Sequence, residues 1–589
     1  MKKTRRFASL ATAAILAACA VVPATMSALP VSAATSITSG SITITTEETD
    51  HTYKAYQIFD GSLSEDNGTI TFADVKWGSA FGTNGGDPAA VGGKTIYEAL
   101  SDLNIQIEGA NVFAGKTTAT AVSEALAKLN DGNGVTYTDI DKVAAVFQQY
   151  LPASATGVAN SAYADSSYKI DIADPGYYLV VETSTSVAAG EAISKYMLQV
   201  AGATTVTPKA DAPQVMKKVK ENTDYTGYQN QKVNFGQQSD YALADNYNDV
   251  ADYNIGDAVP FTLYGSLPTT FANYKGYYYQ FTDKLSKGLT LNENSVKVTV
   301  TDKANTSVEL GANQYTLVKT ADGFTVTISD LKTIDMDAAE GTQVMSDDAV
   351  ITVDYTATLN ADAVIGLNGN PNEVFLTYSN DSNTAQGGDT DKTGKTPEDK
   401  VIVFTYEMDV TKYLDKAEDA NKAAADAAGF KLYKKVGTDN YYAQLTDNKV
   451  TGWTQTEADA TEIKTVAGGL VKFIGLDDGT FYLKETTTPT GYNTMEDLEV
   501  VVDATTANNQ TWAGEANTAL TKLSVSYGGT TADGSLDEGS VPVSIINKSG
   551  SSLPSTGGIG TTIFYVAGGV LVVGAGVLLI TKKRAKDAQ

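Results

Sequence analysis

The chain has 589 residues, enough for two to four domains, with 43 Lys and Arg against 70 Asp and Glu and a net charge of −27. That surplus repels a phosphate backbone and excludes nucleic acid as a natural partner. One cysteine, Cys19, and one histidine, His51, leave no disulfide, thiolate catalyst or Cys-ligated metal in the chain after residue 34, and His51 has no nearby nucleophile for a Ser-His-Asp site.

Lys2, Lys3, Arg5 and Arg6 precede an apolar run from Phe7 to Val22, and Val31-Ser32-Ala33 offers small residues for cleavage, so residues 1–34 read as a secretory signal peptide ending at Ala33 or Ala34. Leu16-Ala17-Ala18-Cys19 also matches a lipoprotein-processing box, which would make Cys19 a lipidated N-terminus. In residues 35–209, alternation predicts strands at 41–45, 53–59, 177–182 and 196–200, and helical spacing predicts helices at 95–103, 119–129 and 139–151, with Asp139 as a cap. The expected domain is mixed α/β, an elaborated Ig-like sandwich. It ends in Val206-Thr207-Pro208-Lys209, where proline holds its predecessor extended and removes a pairing donor, so Lys209 is presented to solvent.

Residues 210–404 form the second expected domain, an all-β sandwich. In Val215-Met216-Lys217-Lys218-Val219, a period of two puts Lys217 on the face of the two valines. Burial of an ammonium is costly and lowers its pKa toward the neutral amine. The same parity turns Asp283 inward with Tyr279, Phe281 and Leu285, and Asn380 inward with Val374, Leu376 and Tyr378. A buried amine, carboxyl and asparagine have one specific chemistry: the amine attacks the side-chain amide, ammonia leaves, and the acid moves the protons. This makes an intramolecular isopeptide bond once, without turnover, so the chain is not an enzyme in the ordinary sense.

The third expected domain, residues 405–548, repeats the pattern. Met408, Val410 and Lys412 share a face, as do Phe481, Leu483 and Glu485, and Val543, Ile545 and Asn547. Val401 to Val410 reads as one strand continuing from the second domain, and Lys416 to Ala428, rich in alanine and charge, reads as a helical insertion. Residues 549–589 hold Leu553, Pro554, Ser555, Thr556 and Gly557, then eighteen apolar or glycine residues from Ile563 to Ile580, then Lys582, Lys583, Arg584 and Lys586. At about 1.5 Å rise per residue the run reaches across a bilayer's hydrocarbon core, with basic residues on the cytoplasmic side.

The pentapeptide, apolar run and basic tail together resemble the cell-wall sorting signal of Gram-positive surface proteins, whose LPxTG motif a sortase cuts between Thr and Gly. The Thr207-Pro208-Lys209 segment resembles the pilin motif of shaft pilins, although tyrosine more commonly precedes the proline; Lys217 and Lys218 are neighbouring alternatives. The resemblance implies that Lys209 of one subunit bonds to Thr556 of the next. The PQVMKKV, FTDKLSKGL and LTYSN stretches resemble isopeptide-forming shaft-pilin domains, implying a Lys217–Asn380 bond assisted by Asp283. Gly479 to Glu485 with Pro489, Gly491 and Tyr492 resembles the E-box of collagen-adhesin B-type domains, implying a Lys412–Asn547 bond assisted by Glu485. Gly176 and Glu182 repeat the box spacing in the first domain, but residues 197–206 hold no Asn or Asp acceptor, so no crosslink is expected there and Glu182 is read as structural.

The expected fold is mainly β: tandem Ig-like, collagen-adhesin-type sandwiches with an α/β-elaborated first domain, a signal peptide and a C-terminal transmembrane helix. The implied function is the major subunit of a covalent surface pilus, with a monomeric wall-anchored adhesin as the alternative. The implied partners are a sortase, further copies of the chain, peptidoglycan, and tip and base pilins. No cofactor or metal is expected; Asp249, Asp252 and Asp257, and Asp389 and Asp391, lack the spacing of a calcium loop.

Overall fold

The computed structural model describes residues 35–586 apart from 47, 67–68, 130–136, 175, 185–186, 189, 194–196, 201–202, 207–210, 224–227, 337–344, 382–386, 389, 508–511, 513, 515 and 551–558. The signal segment with Cys19, Ala33 and Ala34, the linker lysine Lys209, and Leu553, Pro554, Ser555, Thr556 and Gly557 lie outside the described residues. The chain divides into two compact units, one of residues 1–404 with 506–521 and one of 405–505 with 522–589.

In the first unit, residues 35–206 are mixed α/β. The strands Thr35–Ile37, Tyr53–Asp66, Gly176–Glu182 and Met197–Val200 form one sheet, with Thr69–Trp77 and Val158–Ala159 also pairing with Tyr53–Asp66. A second sheet of Ala203–Val206, Gly40–Thr45 and Ser167–Ile172 packs on it through Ile42, Ile44, Tyr53, Tyr168, Ile170 and Val180. The helices Ile96–Asp102, Ala119–Leu126 and Tyr137–Tyr150 supply Leu100, Val122 and Phe147 to a separate core around Phe59 and Trp77. Thr95 and Glu98 close a capping box on the first helix. The third helix starts two residues before Asp139, which therefore sits in the first turn and not at the cap, where its charge still opposes the positive helix end.

The rest of this unit is a sandwich of two seven-stranded sheets. One runs Tyr247–Asn248, Val215–Lys220, Ala258–Gly265, Val350–Leu359, Lys297–Thr301 and Ser307–Glu309, with Leu289–Leu291 on Val350–Leu359. The other runs Val250–Asp252, Asp399–Phe404, Asn370–Ser379, Tyr279–Leu285, Gly323–Ile328 and Thr316–Thr320, with Thr393–Lys395 on Asn370–Ser379. Strict alternation turns Phe261, Leu263, Val353 and Tyr355 of the first sheet against Phe281, Phe324, Val374 and Leu376 of the second, and these form one core. The loop around residues 190–193 docks on this sandwich: the Ile193 amide donates to the Asn380 carbonyl at 2.7 Å, the Gly190 amide to the Lys395 carbonyl at 2.7 Å, and the Tyr378 hydroxyl to the Glu191 carbonyl at 2.9 Å.

The second unit is built on one long sheet, ordered Thr530–Asp533, Leu520–Tyr527, Leu498–Thr506, Gly479–Thr487, Gly429–Val436, Asp439–Thr446, Lys449–Thr454, Leu470–Leu476, Tyr406–Leu414 and Ser540–Asn547. Its first and last strands are parallel neighbours, paired from Glu407 with Ser540 to Leu414 with Asn547. Two expectations are corrected here. The run from Val401 to Val410 is two strands, Asp399–Phe404 and Tyr406–Leu414, separated at Thr405, whose hydroxyl donates to the Leu476 carbonyl. Residues 416–428 are not a helix: only Asp419–Asn421 makes a short 3₁₀ turn. Asp415 and Asp426 take left-handed φ of 64° and 57°, and the Ala423 and Asp426 amides donate outward to the carbonyls of Lys412 and Thr465 instead of along a helix. The C-terminal helix Ile559–Lys586 has a 19-residue apolar stretch, Tyr565–Lys583, none of it buried, about 29 Å long and so long enough to cross a bilayer.

Candidate crosslink sites

Lys217 lies mid-strand in Val215–Lys220, paired with Leu263, and its side chain is fully buried. Its ammonium contacts Asp283 and donates to the Tyr355 hydroxyl at 2.9 Å, between the rings of Phe261 and Tyr355. Tyr355 donates to Asp283 Oδ2 at 3.0 Å, and Asn372 Nδ2 donates to the Tyr355 hydroxyl at 2.8 Å. Burial pushes Lys217 down to about 8 despite Asp283, and burial raises the Asp283 carboxyl above its ordinary range despite Lys217. Both shifts favour the neutral forms that amide exchange needs. Among the described residues, two buried oxygens here, Asp283 Oδ1 and Asn372 Oδ1, have no hydrogen-bond partner, which is costly.

The structure brings Lys217 and Asp283 together but does not bring Asn380 to them. Asp283 faces Val374 across the ladder, so Asn380 lies six residues further on, roughly 20 Å along the strand direction. There it serves the docked 190–193 loop through its carbonyl. Asn370, Asn372 and Asn380 share one parity, and their environments separate them. Asn370 is fully hydrogen-bonded, to the amide and carbonyl of Val364 and the carbonyl of Val403. Asn372, opposite Leu285 and completely buried, is the asparagine that shares the Tyr355 hydroxyl with Lys217.

The second site assembles Lys412, Glu485 and Asn547, all buried, on the strands Tyr406–Leu414, Gly479–Thr487 and Ser540–Asn547. The Lys412 ammonium contacts Asn547 Oδ1, lies 3.1 Å from Glu485 Oε1 and sits over the Phe430 ring. Asn547 Nδ2 donates to both Glu485 oxygens, at 2.7 and 3.0 Å. Burial lowers the Lys412 pKa. The amide oxygen meets the amine, and the amide nitrogen, the group that leaves in amide exchange, touches the acid.

Sequence reasoning missed two buried groups. Lys218, which a period of two puts on the opposite face from Lys217, is also buried, because Asp249 and Asp399 cover that face; its ammonium contacts Asp249. In the first domain Glu182 meets an imidazole: His51 Nδ1 lies 2.6 Å from Glu182 Oε1 and Nε2 lies 3.2 Å from Glu191 Oε2. Burial alone would lower the His51 pKa, but the hydrogen bonds and charges of Glu182, Glu191 and Glu48 win and raise it to about 9. The Ser184 hydroxyl donates to Glu182 at 2.7 Å and not to His51, so this is not a nucleophile–base pair.

Residues 255–382 match the family described as Gram-positive pilin backbone subunit 2, Cna-B-like domain; residues 411–516 match a prealbumin-like fold domain; and residues 545–587 match the LPXTG cell wall anchor motif. The trypsin-resistant surface T6 protein of Streptococcus pyogenes serotype M6 is 25% identical, over 56% of this chain and 65% of its own length. Among solved structures, the T6 backbone pilin of Streptococcus pyogenes is similar at 17% identity and a TM-score of 0.45, covering 88% of this chain and 100% of that one. The group B streptococcus pilus 2b backbone protein is similar at 25% identity and a TM-score of 0.36, covering 52% and 97%. A region like the Gram-positive pilin backbone, a prealbumin-like region and a cell wall anchor motif thus follow one another along the sequence, and in this the chain is similar to cell-wall-anchored backbone pilins of Gram-positive bacteria.

Proposed function

We propose that this protein is the shaft subunit of a covalently polymerised surface pilus and that it crosslinks itself twice. The observation that carries the self-crosslinking is the meeting of a buried lysine, a buried acid and a buried asparagine in each of two places. In the first, Lys217 attacks the Asn372 amide carbon with Asp283 handling protons, in place of the Asn380 acceptor expected from sequence. In the second, Lys412 attacks Asn547 with Glu485 in that role. In each, the new C–N bond replaces the bond to the amide nitrogen, which departs as ammonia. The dry surroundings supply proximity and a neutral amine, so no outside catalyst is needed.

Polymerisation joins Thr556 of one subunit to Lys209 of the next through a sortase, with release of the segment from Gly557 onward. The anchor match and the T6 relative support this reading. Wall extracts of cells expressing the chain should show a high-molecular-weight ladder that Lys209→Ala collapses to one band, and the intact mass should fall short of the sequence by two ammonia molecules. A ladder-free wild type would indicate a monomeric anchored adhesin, and an unchanged mass would remove the crosslinks.

A further inference from the structure

The two sites solve the same chemical problem with acids of different length. In the second unit Glu485 touches the Asn547 amide nitrogen directly, through both oxygens. In the first unit the acid is Asp283, one methylene shorter, and the amide nitrogen of Asn372 reaches it through the hydroxyl of Tyr355, which accepts from Asn372 at 2.8 Å and donates to Asp283 at 3.0 Å. The same hydroxyl accepts from Lys217 at 2.9 Å, so its two acceptor positions and one donor are all committed.

We propose that Tyr355 is a catalytic proton relay between Asp283 and Asn372 in formation of the first crosslink. This rests on the Lys217–Asn372 reading. Asp283 first takes a proton from the Lys217 ammonium. The freed amine adds its electron pair to the Asn372 amide carbon, giving a tetrahedral species with charge on Oδ1. Tyr355 then passes its hydroxyl proton to Nδ2 and recovers one from Asp283, while the carboxylate so formed takes the surplus proton from the attacking nitrogen. The carbon–Nδ2 bond breaks, ammonia leaves, and the amide re-forms with the lysine nitrogen. Tyr355 ends as it began. Its ring is held by stacking on Phe261, centroids 5.3 Å apart, and by an edge contact with Phe324 at 4.9 Å, so the hydroxyl has a fixed aim. Burial and the neighbouring Asp283 raise the phenol far above its ordinary pKa, which keeps the proton it must deliver. The fully buried tyrosine thereby gains a function that packing, which phenylalanine would serve equally, does not demand.

The test follows both crosslinks in the full-length chain, made in a short expression pulse and held in detergent, by mass spectrometry of the linked peptides. Tyr355→Phe should slow the Lys217–Asn372 link about 100-fold, the lower range for a positioned proton-transfer group, while Lys412–Asn547 in the same molecules forms at its wild-type rate. Adding Asp283→Glu, which lengthens the acid to reach the amide as Glu485 does, should restore about ten-fold or more. The acid limb of the rate profile should move to higher pH in Tyr355→Phe, because Asp283 loses a hydrogen bond that stabilises its carboxylate. An unchanged first-crosslink rate, equal slowing of both links, or failure of the longer acid to rescue would each overturn the relay. A wild type that lacks the Lys217–Asn372 link would instead overturn the underlying reading.

Discussion

At the scale of single residues, the lysines and acids are legible from parity, and which asparagine lies nearest to Lys217 and Asp283 is not. Period-two alternation states which face a side chain takes, and it correctly turned Lys217, Asp283, Lys412, Glu485 and Asn547 inward. It cannot state how far along a strand a residue lies. Asn370, Asn372 and Asn380 are equivalent by parity, and only the ladder register, with Asp283 opposite Val374, distinguishes them. Asn372→Ala should therefore restore one ammonia's mass and remove about 5 kcal/mol of loop-closure stabilisation, by the disulfide analogy. Asn380→Ala should leave the mass deficit unchanged. Intact mass and chemical denaturation of the two variants decide between the acceptors. The lysine itself is a poorer target, since its loss would leave Asp283 buried without a cationic partner.

At the scale of elements, alternating strands are legible in the sequence almost to their ends, as at Gly40–Thr45, Gly176–Glu182 and Met197–Val200. Composition misled at residues 416–428, where alanine and charge suggest a helix but the backbone amides are taken by neighbouring carbonyls. The burial of Lys218 is not legible, because a single strand gives no sign of a second covering layer. The loop around 190–193 was equally invisible, since its partners are distant in sequence. It is held partly by His51, whose nitrogens lie against Glu182 and Glu191. His51 is raised from 6.5 to about 9, so the protonated ring contributes stability that is complete below about pH 6.5 and is lost as pH rises through about 9. Glu48, raised by burial from 4.5 to about 7, acts in the same sense over the lower window. Thermal unfolding should show the first domain weakening from pH 6.5 to 9, and His51→Gln should flatten that decline; a flat wild-type profile would contradict it.

At the scale of the whole molecule, a pilus subunit is pulled from both ends of its chain, and the proposed crosslinks would decide which residues feel the pull. In the second unit, tension entering at Thr405 would pass from Lys412 through the proposed amide to Asn547 and leave beyond Lys548, so that residues 413–546 would be bypassed. Single-molecule stretching of the full chain should show no extension from this stretch, whereas Asn547→Ala, which keeps the Lys412–Glu485 pair, should release up to about 450 Å. A wild type that yields this length would be uncrosslinked. The proposed first crosslink, ending at Asn372, would leave residues 373–404 in series with the load, which would make this span the weaker one. The parallel pairing of Tyr406–Leu414 with Ser540–Asn547 adds a second safeguard. Tension drawn from the start of one strand and the finish of its neighbour strains every rung in shear at the same moment, instead of unzipping them singly. A newly secreted subunit whose amide has yet to form would accordingly already resist being drawn out.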